Sequence, residues 1–177
     1  MNLAPLNAAS AVIQIHAWAA IFALVLGAGV LWRRKGTPSH RWSGRVWLVV
    51  MLITVLSSFF IHEIRTWGPW SPIHILSLVT LVLMARAYVA IRQRKILLHR
   101  ELMKATYYNA LLLATFFTFL PGRIMHEVVF GASPASAGNA TVPLWVWIVL
   151  GVVVAVGGRH LAEKWGKQAR AGSPGGS

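Results

Sequence analysis

The stretch AIFALVLGAGVLWRRKGTPSHRWSGRVWLVVMLITV, residues 20–55, holds two apolar runs with a basic, turn-forming segment between them. The first run ends at Trp32 and is followed at once by Arg33, Arg34 and Lys35. Gly36, Thr37 and Pro38 then interrupt the chain, and Arg41 and Arg45 precede the second run. A membrane helix needs about 20 mostly apolar residues. These runs are continuous rather than alternating, which points to spans rather than strands. The segment reads as a helical hairpin that crosses a bilayer twice and turns in water.

Five such runs occur along the chain, at 10–32, 46–64, 72–91, 105–130 (interrupted) and 143–158. Charged residues make up 12% of the sequence, about half of what a soluble domain carries. The expected fold is therefore all-α and integral to a membrane. Residues 1–132 read as an antiparallel four-helix bundle of two hairpins, 10–65 and 72–130. Residues 133–166 read as an outer loop and a fifth transmembrane helix, and 167–177 as a disordered polar tail.

The formal net charge of +13 raises the possibility of nucleic-acid binding, but its distribution argues for a membrane. Basic residues gather between runs 1 and 2, between runs 3 and 4 (Arg92, Arg94, Lys95, Arg100, Lys104), and after run 5. The opposite side has Arg65 and Arg123. Short basic loops stay cytoplasmic, so the N-terminus is expected outside and the C-terminus inside a bacterial inner membrane. Such loops face anionic lipid headgroups. No basic-aromatic recognition module is visible, and nucleic acid is not an expected partner. The chain has no Cys, which excludes disulfides, thiolate metal sites and covalently attached c-type haem. Most of the nine Trp residues fall near run ends, as an aromatic belt does.

Six of the seven His residues repeat. His16, His40 and His62 are spaced by 24 and 22, and His74, His99 and His126 by 25 and 27. Each middle histidine is followed by Arg (His40-Arg41, His99-Arg100), and each last one by Glu (His62-Glu63, His126-Glu127). This is the pattern of a duplicated hairpin. From a helical rise of ~1.5 Å per residue, His16 stands about 24 Å from the inner end of its span. His62, His74 and His126 are expected in the same outer layer, while His40 and His99, with Arg41 and Arg100, form an inner-face pair.

A lone His near a span end is ordinarily an interfacial polar residue, and a His-Arg step in a basic loop ordinarily faces lipid. Ionisable residues within spans are costly, however, and four of them on four helices at one depth read as a shared site. Imidazole is the commonest metal ligand, and its second nitrogen often donates to a carboxylate. The expected cofactor-binding residues are His62, His126, His16 and His74. By symmetry His62 would pair with His126, or His16 with His74. Glu63, Glu127, Arg123 and Ser58 would support them, with Ser58 one helical turn before His62 on the same face. The leading expectation is b-type haem, for electron transfer or haem handling. The alternative is a non-enzymatic assembly or accessory protein whose histidines are structural or hold copper or zinc. A third is a small transporter, which would more often carry its polar groups at the midplane. No nucleophile triad, phosphate loop or soluble catalytic domain is present, so no reaction is assigned. A respiratory or other membrane-protein partner, or a homo-oligomer packed through run 5, completes the expected partners.

The set H…HRxxG…H…HRxxM…PGR is present as His16, His40-Arg41-Trp42-Ser43-Gly44, His74, His99-Arg100-Glu101-Leu102-Met103 and Pro121-Gly122-Arg123. It resembles the bacterial predicted-membrane-protein family designated domain of unknown function 2306, over roughly residues 10–130. That resemblance implies a membrane fold and topology but no activity. The His-Arg, His and His-Arg placements are also similar to small membrane proteins that assist haem–copper oxidase assembly, which implies a link to respiratory haem or copper.

Overall fold

A computed structural model describes residues 2–62, 72–119 and 123–131. The chain divides into two units, 1–140 and 141–177. The second unit lies outside the described residues, and with it the expected fifth span and tail. Glu63, Arg65 and the Pro121-Gly122 step also lie outside them. All regular structure among the described residues is helical.

A short helix, α1 (Ala4–Ala8), leads into α2 (Ala11–Trp32), and α3 (Pro38–Ser58) follows. The turn between α2 and α3 shows why the sequence doubles back there. Lys35 Nζ reaches back to the Leu31 carbonyl and, at 2.9 Å, to the Arg33 carbonyl, so its charge sits at the negative end of α2. Gly36 adopts φ +82°, a left-handed conformation that favours glycine. Thr37 then caps α3, its Oγ1 accepting from the His40 amide at 3.1 Å, with Pro38 in the first helical turn.

The helix α4 (Pro72–Arg92) turns tightly into α5 (Ile96–Ala105). Lys95 N donates to Ala90 O at 2.9 Å and Arg94 N to Ile91 O at 3.1 Å. This is a Schellman cap, with Arg94 at φ +59° where glycine is usual. A π-helical turn (Thr106–Leu112) and α6 (Leu113–Thr118) continue α5. The buried Ser43, Trp47 and Met51 of α3 match Leu102, Thr106 and Ala110 at the same offset that relates His40 to His99. Beyond Thr106 burial moves on to Tyr107 and Leu111. A π turn accommodates an added residue without ending a helix. Helix α6 ends with Phe119 at its C-cap, and α7 (Ile124–Phe130) is the next described helix.

The first hairpin has one antiparallel register. The His16 imidazole meets the Thr54 carbonyl, the Trp47 indole meets the Ala23 carbonyl, and the His40 imidazole meets the backbone of Val30. Each contact lies seven residues from the next on both helices, two turns at a time. Helix α3 packs on α4, α4 packs on α5 and the π turn, and the π turn reaches back to α2. That last contact is close. Tyr107 Oη donates to the Leu24 carbonyl at 3.1 Å and Trp47 Nε1 to the Ala23 carbonyl at 2.8 Å. Both rings lie over Gly27, where a Cβ would come 2.5 Å from Trp47 Nε1 and 2.7 Å from Tyr107 Cε2. Glycine lets these helices approach, as small residues do between membrane helices.

Large apolar side chains also point outward. Ile15, Trp18, Phe22 and Val25 form an exposed stripe along α2, and Ile75, Leu78, Val82 and Val89 one along α4. A water-soluble monomer does not expose apolar surface on this scale. Among the described residues, two helices, Ala11–Trp32 and Ile73–Arg92, are long and apolar enough to cross a bilayer.

Candidate functional site

Three of the four outer-layer histidines gather where α3 ends. His16, in the second turn of α2, is half-buried, and its Nδ1 lies 2.9 Å from the Thr54 carbonyl and 3.1 Å from Ser57 Oγ. A carbonyl only accepts, so Nδ1 carries the proton and Nε2 keeps its lone pair. His62 is exposed, and its Nδ1 is 3.2 Å from the Phe60 carbonyl. The same logic leaves its Nε2 a lone pair. His74, near the start of α4, is buried. Its ring centre is 5.5 Å from that of His62 and 6.1 Å from that of Phe59.

Hydroxyl residues lie beside His16 and between α3 and α4. Ser57 Oγ donates to the Thr54 carbonyl at 3.0 Å. The hydroxyls of Ser58 and Ser77 lie 2.6 Å apart, both buried, linking α3 to α4. Thr80, also buried, donates to the Leu76 carbonyl one turn further along α4.

Two expectations change. Helix α3 ends at Ser58, where the chain tightens: Phe60 N donates to Ser57 O at 3.1 Å and Ile61 N to Ser58 O at 3.2 Å. Ser58 and His62 therefore do not share a helix face, and Ser58 supports Ser77 instead. The reason is local: the apolar run continues through Phe59, Phe60 and Ile61, so no stop signal marked the end of the helix. The twin His-Glu pairs also differ in setting. His62 lies beyond the end of α3, whereas His126 and Glu127 lie within α7. Glu127 stands in the first turn of α7, where a carboxylate is favoured by the helix dipole. Arg123, half-buried, stands at the N-cap position of that helix and makes no side-chain cap hydrogen bond to it. His126 packs against Phe130 with ring centres 5.0 Å apart, and its Nδ1 is enclosed without a hydrogen-bond partner among the described residues. Helix α7 packs against α1, where Asn2 N donates to the Val128 carbonyl at 2.9 Å.

At the other end, His40 and His99 come within electrostatic reach of each other. His99 Nδ1 lies 2.9 Å from the Ala87 carbonyl, so both middle histidines reach back to the backbone of the preceding helix. Burial holds the His40 imidazole below the ordinary value of 6.5, and the Lys35 charge and His99 push the same way against the Val30 backbone. Arg41 and Arg100 are exposed. Arg100 Nε is 3.9 Å from Glu101 Oε1, which Lys104 Nζ approaches to 3.5 Å.

The family model for predicted membrane proteins designated DUF2306 matches residues 13–159. The chain belongs to this family. No curated protein and no solved structure matches it. Membership agrees with the outward apolar stripes and the two long apolar helices, and this is a membrane protein of helical build. The family's description assigns no activity, so the chemistry must be argued from the side chains.

Among the described residues, no three His, Asp or Glu side chains lie close enough to hold one metal ion. Sequence reasoning singled out the histidines but missed Thr54 and Ser57, which meet His16, and Ser77, which pairs with Ser58. Their signal was present: small hydroxyl residues three or four apart within apolar runs.

Proposed function

We propose that the protein is an antiparallel four-helix bundle of two related hairpins with a fifth transmembrane helix, N-terminus outside, and that its outer end binds a metal ion through His62 and His74. The observation that carries this reading is the 5.5 Å separation of the two ring centres. Imidazole nitrogens bind zinc-like ions at about 2.0–2.1 Å, so two rings sharing one ion at a bent angle have centres roughly 5–6 Å apart. Axial ligands on opposite faces of a haem iron stand roughly 6 Å apart or more. The spacing therefore favours copper or zinc over b-type haem. The Nδ1-to-carbonyl contact of His62 supports it, because that contact fixes the ring and leaves Nε2 as the donor. Glu63, next in the chain, or solvent would complete the coordination. The role that fits is an accessory or metal-handling membrane protein.

The test is elemental analysis and a visible spectrum of the purified full chain. Copper or zinc near one per chain is expected, and His62→Ala and His74→Ala should each lose it. Glu63→Gln should weaken retention about 10–100-fold, as changes around a ligand do. A Soret band that both His variants abolish would replace the metal ion with haem. If the wild type holds neither, the two imidazoles are a packed ring pair and the reading falls.

A further inference from the structure

We infer that the face carrying Tyr108, Asn109, Leu112 and Phe116 packs, within the membrane, on the same face of a second copy of this chain, with the two Asn109 amides bonded to each other. This surface does not include His62 or His74, so it stands whatever those residues bind.

The first observation is an outward face. The π turn sends Tyr107 inward over Gly27, while Tyr108, Leu112 and Phe116 are exposed. These three follow at four-residue steps, about one helical turn each. Asn109, half-buried, lies beside them, three residues before Leu112 and seven before Phe116. The second is depth. Tyr107 bonds to the Leu24 carbonyl, and α2 continues from Leu24 to Trp32, which sets that carbonyl roughly 12 Å inside the end of the helix. Asn109 therefore meets hydrocarbon rather than water. The third is an amide without a partner. The Asn109 side chain makes no hydrogen bond among the described residues. It is too short to reach the headgroups as Lys and Arg do, and lipid tails offer neither donor nor acceptor. The fourth is what can satisfy it. The apolar run 143–158 has no side-chain hydrogen-bonding group beyond the indoles of Trp145 and Trp147, which donate only. An amide is donor and acceptor at once, so two Asn109 side chains related by a two-fold axis satisfy each other. Polar side chains paired across helices in this way hold membrane helices together.

The chain has no Cys, so a single introduced thiol reports its own surroundings. Full-length protein in phosphatidylcholine vesicles would be oxidised with iodine, which joins two thiols at close range. Leu112→Cys should link to a second chain, and Val82→Cys, also exposed but on α4, should not. Association would be measured by energy transfer between labelled chains over a range of protein-to-lipid ratios. Asn109→Leu should weaken it about 3–30-fold, and Asn109→Gln, which keeps an amide, should stay closer to wild type. The unfolding temperature of the monomer in detergent should not fall in Asn109→Leu, because the single chain loses no hydrogen bond. A wild type that is monomeric at every ratio would overturn the inference, as would association that Asn109→Leu leaves unchanged. Equal linking at Leu112 and Val82 would reduce the contact to random collision and overturn it too. If Asn109→Leu does not fold, the linking comparison, made with Asn109 in place, still decides.

Discussion

Trp47 donates its indole N–H to the Ala23 carbonyl at 2.8 Å, across the interface of α2 and α3. The contact lies midway between His16–Thr54 and His40–Val30, so it pins the register that brings both histidines to their partners. Trp47→Phe keeps most of the ring and removes the donor. It should cost about 0.5–1.5 kcal/mol, read as a lower unfolding temperature in detergent. An unchanged temperature would mean that packing alone holds the register.

Gly27 lies beneath the rings of Trp47 and Tyr107. Gly27→Ala forces two aromatic rings off α2 and should destabilise the fold by about 1–3 kcal/mol. Gly29, two residues away, has nothing within 4 Å of a built Cβ. Gly29→Ala should be neutral or stabilising, because alanine is the better helix former by up to about 1 kcal/mol. Unfolding temperatures of the two variants side by side give the comparison, and matching effects would contradict the packing described.

Ser58 and Ser77 hold α3 and α4 together through a buried hydroxyl pair. Each also donates, or can donate, to a carbonyl of its own helix, so neither is stranded when the other is removed. A double-mutant cycle of Ser58→Ala and Ser77→Ala should give a coupling of about 0.6 kcal/mol, the usual size between membrane helices. Strict additivity would show that the two hydroxyls act separately.

Arg94 occupies the left-handed position of the Schellman cap between α4 and α5. A side chain in that conformation costs about 1–2 kcal/mol, and glycine avoids it. Arg94→Gly should raise the unfolding temperature, while Arg94→Lys should leave it unchanged. A loss of stability in the glycine variant would show that the arginine charge outweighs the backbone term.

His40 sets a pH dependence. Its imidazole in the folded protein is held below the ordinary value of 6.5, first by burial, then by Lys35 and His99. Below that value the unfolded chain takes up the proton more readily than the folded one, so stability falls as pH falls through 6.5. Above it both states are neutral and His40 contributes no slope. His40→Gln should flatten the pH dependence of unfolding between neutral and mildly acidic conditions. A variant that keeps the wild-type slope would assign the proton to another group.

What the sequence alone determined is what local chemistry determines. The apolar runs of α2 and α4 announced membrane helices, because burial of a helix in lipid depends on composition over about 20 residues. The basic turn after Trp32, with Gly36, Thr37 and Pro38, placed a hairpin end, because turn and cap preferences act within a few residues. The twin His-Arg steps pointed to an inner-face pair, His40 with His99. Only the tertiary structure decided which outer histidines meet. Symmetry pointed to His62 with His126 or His16 with His74, yet the ring beside His62 is that of His74. That outcome depends on where α3 stops and on how α3 and α4 face one another. The first is hidden by the apolar Phe59-Phe60-Ile61 continuation. The second is set by the fit of side chains such as Ser58 against Ser77, which no periodicity within one helix can encode, because it is a relation between two surfaces that exists only once they pack.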